Sequence, residues 1–364
     1  MAAKLQINLL NLKHNIESIK QKLYDNQELL VMVKADAYGA GLVEITKFLE
    51  EQGVKNFGVA YLKEARILRN AGIKGKIIVF SGLLPNEVEE AVNVDAIYSV
   101  SNIEMLEELN NKAIEKQIKI ELAMDTGMTR LGFDKNELPL LASKLKEFQN
   151  IYVDGIYTHF SSADVKEKEH ITLSQISMFE ECIEFLAKQD ICLPNKHMCN
   201  SAGIFRYNSD KYNMVRLGIS AYGYYADASM KSEVELKPIF KLIAPICNLR
   251  TVKAGKAVSY NGTYVTDKET KIAVLQIGYA DGLTRVLSNK LKVNVNGSEV
   301  PVIGNICMDT CMIDVTGINV NIGDEAVIFD YESEKLEEIA RITNTIHYEV
   351  ITNIGKRVDR EYVK

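Results

Sequence analysis

Eight short apolar runs recur between residues 29 and 220 at the spacing of a strand plus a helix, and they constrain the fold more than any other feature. They cover 29–35, 56–60, 76–80, 96–100, 119–125, 153–160, 196–201 and 214–220. Between them, stretches such as 43–52, 62–71, 103–116 and 173–189 repeat their apolar residues every three and four positions, as helices packed on a sheet require. Strand and helix alternate, which gives an α/β fold. A count of eight favours a closed (β/α)8 barrel of the TIM type over an open doubly wound sheet, which has no reason to stop at eight.

After about residue 235 the pattern changes to β-rich runs at 244–252, 271–277, 292–295, 310–315 and 325–329, separated by Gly, Asn and Asp turns. The chain therefore reads as a barrel over residues 1–235 and a β-rich C-terminal domain over 236–364, and 364 residues suit two cores. Segment 4–9 alternates apolar and polar ahead of a helix over 12–23, so residues 1–10 are expected to pair with the C-terminal domain rather than join the barrel.

Composition narrows the function classes. A formal charge of −6 without long runs of one sign offers no footprint for nucleic acid or an anionic membrane. No apolar stretch reaches the ~18 residues of a spanning helix. The opening of the chain lacks the charged, apolar and cleavage-site pattern of an export signal, so a cytoplasmic protein with free thiols is expected. Cys307 and Cys311 stand four apart with no second Cys or His pair at zinc spacing, so no metal is expected.

In a parallel barrel, catalytic groups sit where strands give way to loops. The first run ends Val33-Lys34-Ala35-Asp36-Ala37-Tyr38-Gly39, which puts a lysine on an apolar strand end. Partial burial lowers an amine's pKa and makes it nucleophilic, as Schiff-base formation with an aldehyde cofactor demands. A lysine snorkelling from a strand end is the plainer alternative. The sixth run ends Thr158-His159-Phe160-Ser161, the seventh holds Asn200-Ser201, and the eighth holds Arg216 and Gly218. A hydroxyl and backbone amides from the last two strand ends suit a phosphate, with Arg216 placed to face a cofactor ring. Taken singly, His159 is more often a hydrogen-bonded histidine, Ser201 a turn residue and Arg216 half of a structural ion pair. Arg130 lies in the glycine-punctuated loop Asp125-Thr126-Gly127-Met128-Thr129-Arg130-Leu131-Gly132, where it could bind a carboxylate or phenolic oxygen or make an interdomain salt bridge.

The segment from Val33 to Gly41 resembles the pyridoxal 5'-phosphate attachment motif of the alanine racemase family, fold-type III amino-acid racemases. The other signatures follow in the same chain order: the loop around Arg130, His159-Phe160-Ser161, Asn200-Ser201, Arg216, Ser259-Tyr260, residues 278–282, residues 306–309 and Tyr348-Glu349-Val350. The resemblance spans about residue 5 to residue 362.

It implies a head-to-tail homodimer in which each β-rich domain completes the other subunit's active site. Lys34 would hold pyridoxal phosphate as an imine and act as the base on the D face, with Tyr260 of the partner subunit as the base on the L face. Cofactor contacts would come from Tyr38, His159, Asn200, Ser201, Arg216, Gly218, Ile219 and Tyr348. Arg130 and Met308 would bind substrate, backed by His197, Tyr279 and Asp309. The expected reaction is interconversion of L- and D-alanine, supplying D-alanine for peptidoglycan. The alternatives are a racemase of serine or another small amino acid, a decarboxylase on the same architecture, and a non-catalytic pyridoxal phosphate carrier, which would lack the second domain. Ala123 stands where many family members carry a lysine, often carbamylated, that steadies the active-site arginine; Asn305, Asp359 and Cys199 also depart from the usual pattern.

Overall fold

The computed structural model describes residues 3–114 and 116–364. The first strand, β1 (Lys4–Asn8), is followed by eight parallel strands: β2 (Glu28–Met32), β3 (Asn56–Val59), β4 (Lys76–Val79), β5 (Ile97–Val100), β6 (Ile118–Ala123), β7 (Ile151–Tyr157), β8 (Asn195–His197) and β9 (Met214–Leu217). They join in the order β8-β7-β6-β5-β4-β3-β2-β9. Hydrogen bonds between the β9 side and the β8 side, with Arg216 N donating to Cys199 O at 2.9 Å and Lys196 N donating to Asn213 Oδ1 at 2.8 Å, link the two ends of that path. The eight runs read from the sequence are thus the eight strands of a nearly closed barrel, buried on both faces, which explains their near-continuous apolar character.

Helices lie between the strands where the three-and-four spacing predicts them, at Leu42–Glu51, Leu62–Asn70, Ile103–Lys112 and Glu169–Lys188. The helix expected over 103–116 stops at Lys112, and Glu115 lies outside the described residues. Asn102 caps its start, its side chain accepting from Met105 N at 2.8 Å. No helix among the described residues is long and apolar enough to cross a membrane.

The chain divides into two compact units: the described residues of Lys13–Ala37 and Gly41–Leu236, and those of Met1–Leu12, Tyr38–Ala40 and Lys237–Lys364. In the second unit β10 (Phe240–Val252) organises the strands around it. It pairs antiparallel with β1, aligning Leu5 with Leu242, and β1 pairs parallel with the last strand, Asp359–Val363. Leu5 and Ile7 are wholly buried, the inward half of the alternation read in segment 4–9. Beyond a register shift at Ile246, β10 turns to pair with Thr270–Leu275, which in turn pairs with Cys311–Asp314.

Candidate active site

Every strand of a parallel barrel ends at one rim, so the segments after β2, β3, β6, β7, β8 and β9 share a mouth. Lys34 follows β2 there. Its side chain is accessible at the rim yet ringed by protein, and this loss of water lowers the amine's pKa. Arg130 and then Arg216 reinforce the lowering, while Glu64 opposes it.

The backbone after Lys34 was not legible in the sequence. Ala35, Asp36, Ala37 and Tyr38 all have φ between 52° and 58°, a turn of left-handed helix built from residues other than glycine. Such a turn costs L-residues about 1–2 kcal/mol each, so local bonds must hold it. Ala37 N donates to Val33 O at 2.8 Å, Leu42 N to Asp36 Oδ1 at 2.8 Å and Ala35 N to Glu64 Oε1 at 2.8 Å. The second oxygen of Glu64 accepts from Ala60 N and Tyr61 N, so one carboxylate ties the turn after β2 to the strand end of β3. The run expected over 29–35 therefore ends as a strand at Met32, and the turn delivers Lys34 to the rim.

Arg216, near the end of β9, is buried. Its guanidinium donates to Thr158 O at 2.7 Å, Met198 O at 3.1 Å, His197 O at 3.3 Å, His197 Nδ1 at 2.7 Å and His159 Nδ1 at 3.3 Å. It lies 5.3 Å from the ring centre of Tyr157 and 5.9 Å from that of Phe80, and the Tyr157 ring stacks on His197 at 5.4 Å. Cation–π contact and five acceptors offset the loss of water around a buried guanidinium. Asn200 caps the helix Ser201–Arg206 through Gly203 N at 2.9 Å. Ser201 Oγ accepts from Gly218 N at 3.0 Å and Ser220 N at 3.5 Å, joining the last two strand ends, and Ile219 opens the tight turn that follows.

Arg130 stands exposed on its loop. Asp125 Oδ1 accepts from Gly127, Met128 and Thr129 N and so shapes that loop. Gly132, at φ 133°, has no substitute there, since a Cβ would lie 2.3 Å from Asp125 N. Among the described residues no carboxylate is bonded to Arg130, and the buried Ala123 on β6 offers none. Lys34, Arg130, His159, His197, Asn200, Ser201, Arg216, Gly218 and Ile219 all belong to the barrel unit.

The remaining predicted residues belong to the second unit. Tyr38 is buried, with its ring 6.3 Å from that of Tyr348. Tyr279 N and Ala280 N donate to Cys307 O and Met308 O, both at 3.0 Å, and Arg357 bridges Asp281 and Asp309. Gly278 permits that contact, because a Cβ would come within 2.3 Å of Met308 O. Tyr260 is 67% exposed, between Ser259 at φ 63° and Asn261 at φ 62°. Asn305 Nδ2 holds its carbonyl at 2.7 Å.

Glu121, Tyr157, Gln175 and Glu64 were missed by the sequence reading. Gln175 fastens the loop after β7, donating to His159 O and accepting from Ser161 N. Glu121, wholly buried, bonds His197 Nε2 at 3.0 Å. Its signal was available: a carboxylate inside the run Ile118-Lys119-Ile120-Glu121-Leu122-Ala123, on a strand with neighbours on both sides.

These burials carry a pH dependence. Loss of water, with Arg216, Arg130 and Lys34 close by, pushes His159 down to about 3, and burial pushes His347 down to about 4. In the unfolded chain both imidazoles protonate near ~6.5. As pH falls below that value the unfolded state gains protons that the folded state refuses, so stability falls with falling pH. Each histidine contributes about 1.4 kcal/mol per pH unit until its folded pKa is reached. Urea unfolding between pH 6.5 and 4.5 should therefore show a steep slope, and His159→Gln should flatten it by about 1.4 kcal/mol per pH unit. An unchanged slope in that variant would mean that His159 takes up its proton in the folded protein.

The description "Alanine racemase, N-terminal domain" matches residues 7–226, and "Alanine racemase, C-terminal domain" matches residues 239–362. The chain is 39% identical over 369 residues to an alanine racemase of Clostridium kluyveri, covering 99% of this chain and 93% of that protein. Its structure is similar to that of an alanine racemase of Clostridium difficile, with a TM-score of 0.95, 33% identity, and 100% and 96% of the two chains covered. It is also similar to an alanine racemase from Bacillus anthracis solved with bound L-Ala-P, with a TM-score of 0.94, 31% identity, and 100% and 95% covered. With both domain matches, full-length relatives and a barrel whose rim gathers a lysine of lowered pKa and a buried arginine–histidine cluster, this chain belongs to the alanine racemase family of isomerases.

Proposed function

We propose that the protein interconverts L- and D-alanine with pyridoxal 5'-phosphate held on Lys34, in a head-to-tail homodimer whose active sites draw on both subunits. One observation carries the reading: an amine of lowered pKa at the barrel rim, near the guanidinium of Arg216, in the segment order of a racemase family. The residues fit the cofactor's chemistry. Lys34 supplies a nucleophilic nitrogen, Ser201 a hydroxyl that already joins the amides of Gly218 and Ser220, and Arg216 a cation that stays charged against a ring nitrogen. When bound, the cofactor would withdraw electrons from the attached amino acid and acidify its Cα–H.

Inversion needs proton donors on opposite faces, because one base returning its own proton gives back the starting enantiomer. Lys34 Nζ serves the D face, and its lowered pKa leaves more of the amine unprotonated near neutral pH. Tyr260 of the partner subunit serves the L face. Its 67% exposure on a turn fixed by Asn305 suits a group that reaches into another chain. An open groove of about 890 Å³ beside it, lined by Arg250, Lys253, Lys256 and Cys307, suits the covering surface of a second subunit. Arg216, with a permanent charge, would keep the ring nitrogen unprotonated and so favour a brief proton transfer over side reactions.

Tyr38, Asn200, Ile219 and Tyr348 complete the cofactor site, His159 and His197 brace Arg216, and Arg130 with Met308 of the partner subunit binds the substrate carboxylate. Tyr279 and Asp309 support the entrance. The product would serve peptidoglycan synthesis in the cytoplasm. The test is chiral analysis of L-alanine and L-serine incubated with protein and pyridoxal phosphate. Formation of D-alanine at a rate above that of D-serine supports the reading, and no D-enantiomer from either substrate refutes it.

A further inference from the structure

We propose that Glu121 is a positioning residue for this reaction: its buried carboxylate fixes which nitrogen of His197 carries the proton, and His197 in turn fixes the guanidinium of Arg216. The inference rests on the reading above for its effect on turnover, but its structural step stands on barrel residues alone.

The argument begins with Arg216, which can only donate. Its Nη1 lies 2.7 Å from His197 Nδ1, so Nδ1 must present a lone pair. The proton of the neutral ring then sits on Nε2 and needs an acceptor. His197 is wholly buried, and the atom 3.0 Å from Nε2 is Oε2 of Glu121. A carboxylate satisfies this requirement, whereas an apolar side chain on β6 would leave the ring free to take the other tautomer and turn an N–H toward an arginine N–H.

The barrel makes room for this carboxylate. A Cβ at Gly155 on the neighbouring strand β7 would lie 3.1 Å from Glu121 Oε1 and 2.8 Å from Asn195 O. Oε1 has no hydrogen-bond partner among the described residues, so the carboxyl group is engaged through His197. Arg216 otherwise meets carbonyl oxygens and the Nδ1 of His159, with no carboxylate of the described residues in direct contact. Asp154, the other carboxylate near His197, is taken up by Asn195 Nδ2 at 2.9 Å. Glu121, His197 and Arg216 therefore form one chain of carboxylate, imidazole and guanidinium across β6, β8 and β9.

The test compares the native protein with Glu121→Gln and Glu121→Leu. Ring-nitrogen 15N spectra of the five histidines, recorded with and without pyridoxal phosphate, report the His197 tautomer, assigned through His197→Gln. The native ring should be neutral and protonated on Nε2. Glu121→Gln, whose amide oxygen still accepts, should keep that tautomer and hold kcat within about 5-fold. Glu121→Leu should lose the single tautomer and lower kcat about 30-fold or more, with KM changed less than about 3-fold.

A native ring protonated on Nδ1 overturns the proposal without any variant, so a Glu121→Leu protein that fails to fold does not shelter it. Retention of the native tautomer or native kcat in Glu121→Leu overturns it too. So does a Glu121→Gln protein with native tautomer and the leucine variant's loss of rate. Because the tautomer is read on cofactor-free protein, absence of cofactor binding would refute the proposed function while this spectrum still decides the role of Glu121.

Discussion

Lys34→Ala should leave a folded protein with no absorption band near about 420 nm in the presence of pyridoxal phosphate, and with racemisation slowed about 10⁴-fold or more. On the proposed mechanism two functions would be lost at once: the nitrogen that holds the cofactor and the base of the D face. The fold should survive, because the Lys34 side chain sits at the accessible rim and the left-handed turn beyond it is held by Val33, Asp36 and Glu64 rather than by the lysine amine. Added methylamine should restore part of the rate by supplying a free base, which separates loss of the proton carrier from general damage. Full activity in this variant would place the attachment elsewhere in the chain.

Tyr260→Phe should lower alanine racemisation about 10²- to 10⁴-fold and make the two enantiomers behave differently. On the proposed mechanism, with the L-face base gone, Lys34 should still exchange the Cα proton of D-alanine with solvent, and no inversion should follow. L-Alanine should exchange hardly at all. The asymmetry is the informative result, since damage to cofactor binding would slow both exchanges equally. Tyr260 is 67% exposed and its carbonyl, not its ring, makes the bond to Asn305, so the missing hydroxyl should leave the turn intact.

The barrel was legible because a parallel strand covered on both sides must be apolar along its length, and eight such runs at one spacing leave little other choice. Their ends were harder to read. The run over 196–201 forms a strand only through His197, because Asn200 starts a helix by capping Gly203. The run over 29–35 ends early because four consecutive residues after Val33 and Lys34 adopt positive φ, a conformation no composition rule assigns to Ala-Asp-Ala-Tyr. The bond from Ala35 to Glu64 that holds it crosses 29 residues, beyond the reach of local patterning.

Within the candidate site, the residues at strand ends stood out by position, and Lys34, His159, Ser201 and Arg216 meet at one rim for that reason. Side chains that act from inside the strands did not. Glu121 and Tyr157 lie on the inward faces of β6 and β7, where the surrounding sequence reads as ordinary core. Glu121 alone carried a signal, a carboxylate within an apolar run; what it serves appears only when His197 is seen, stacked on Tyr157 and hydrogen-bonded to Glu121. Arg130 shows the opposite case: its loop was legible from glycine punctuation, and the sequence also shows that position 123 in β6, an alanine, offers it no carboxylate.

The most direct test of a two-base racemase is to incubate the cofactor-loaded protein with L-alanine in deuterium oxide and follow optical rotation and mass together. The account predicts that rotation decays to zero and that every D-alanine formed carries one deuterium at Cα. Bound cofactor with undiminished rotation, or D-alanine that retains its original Cα hydrogen throughout, would contradict it.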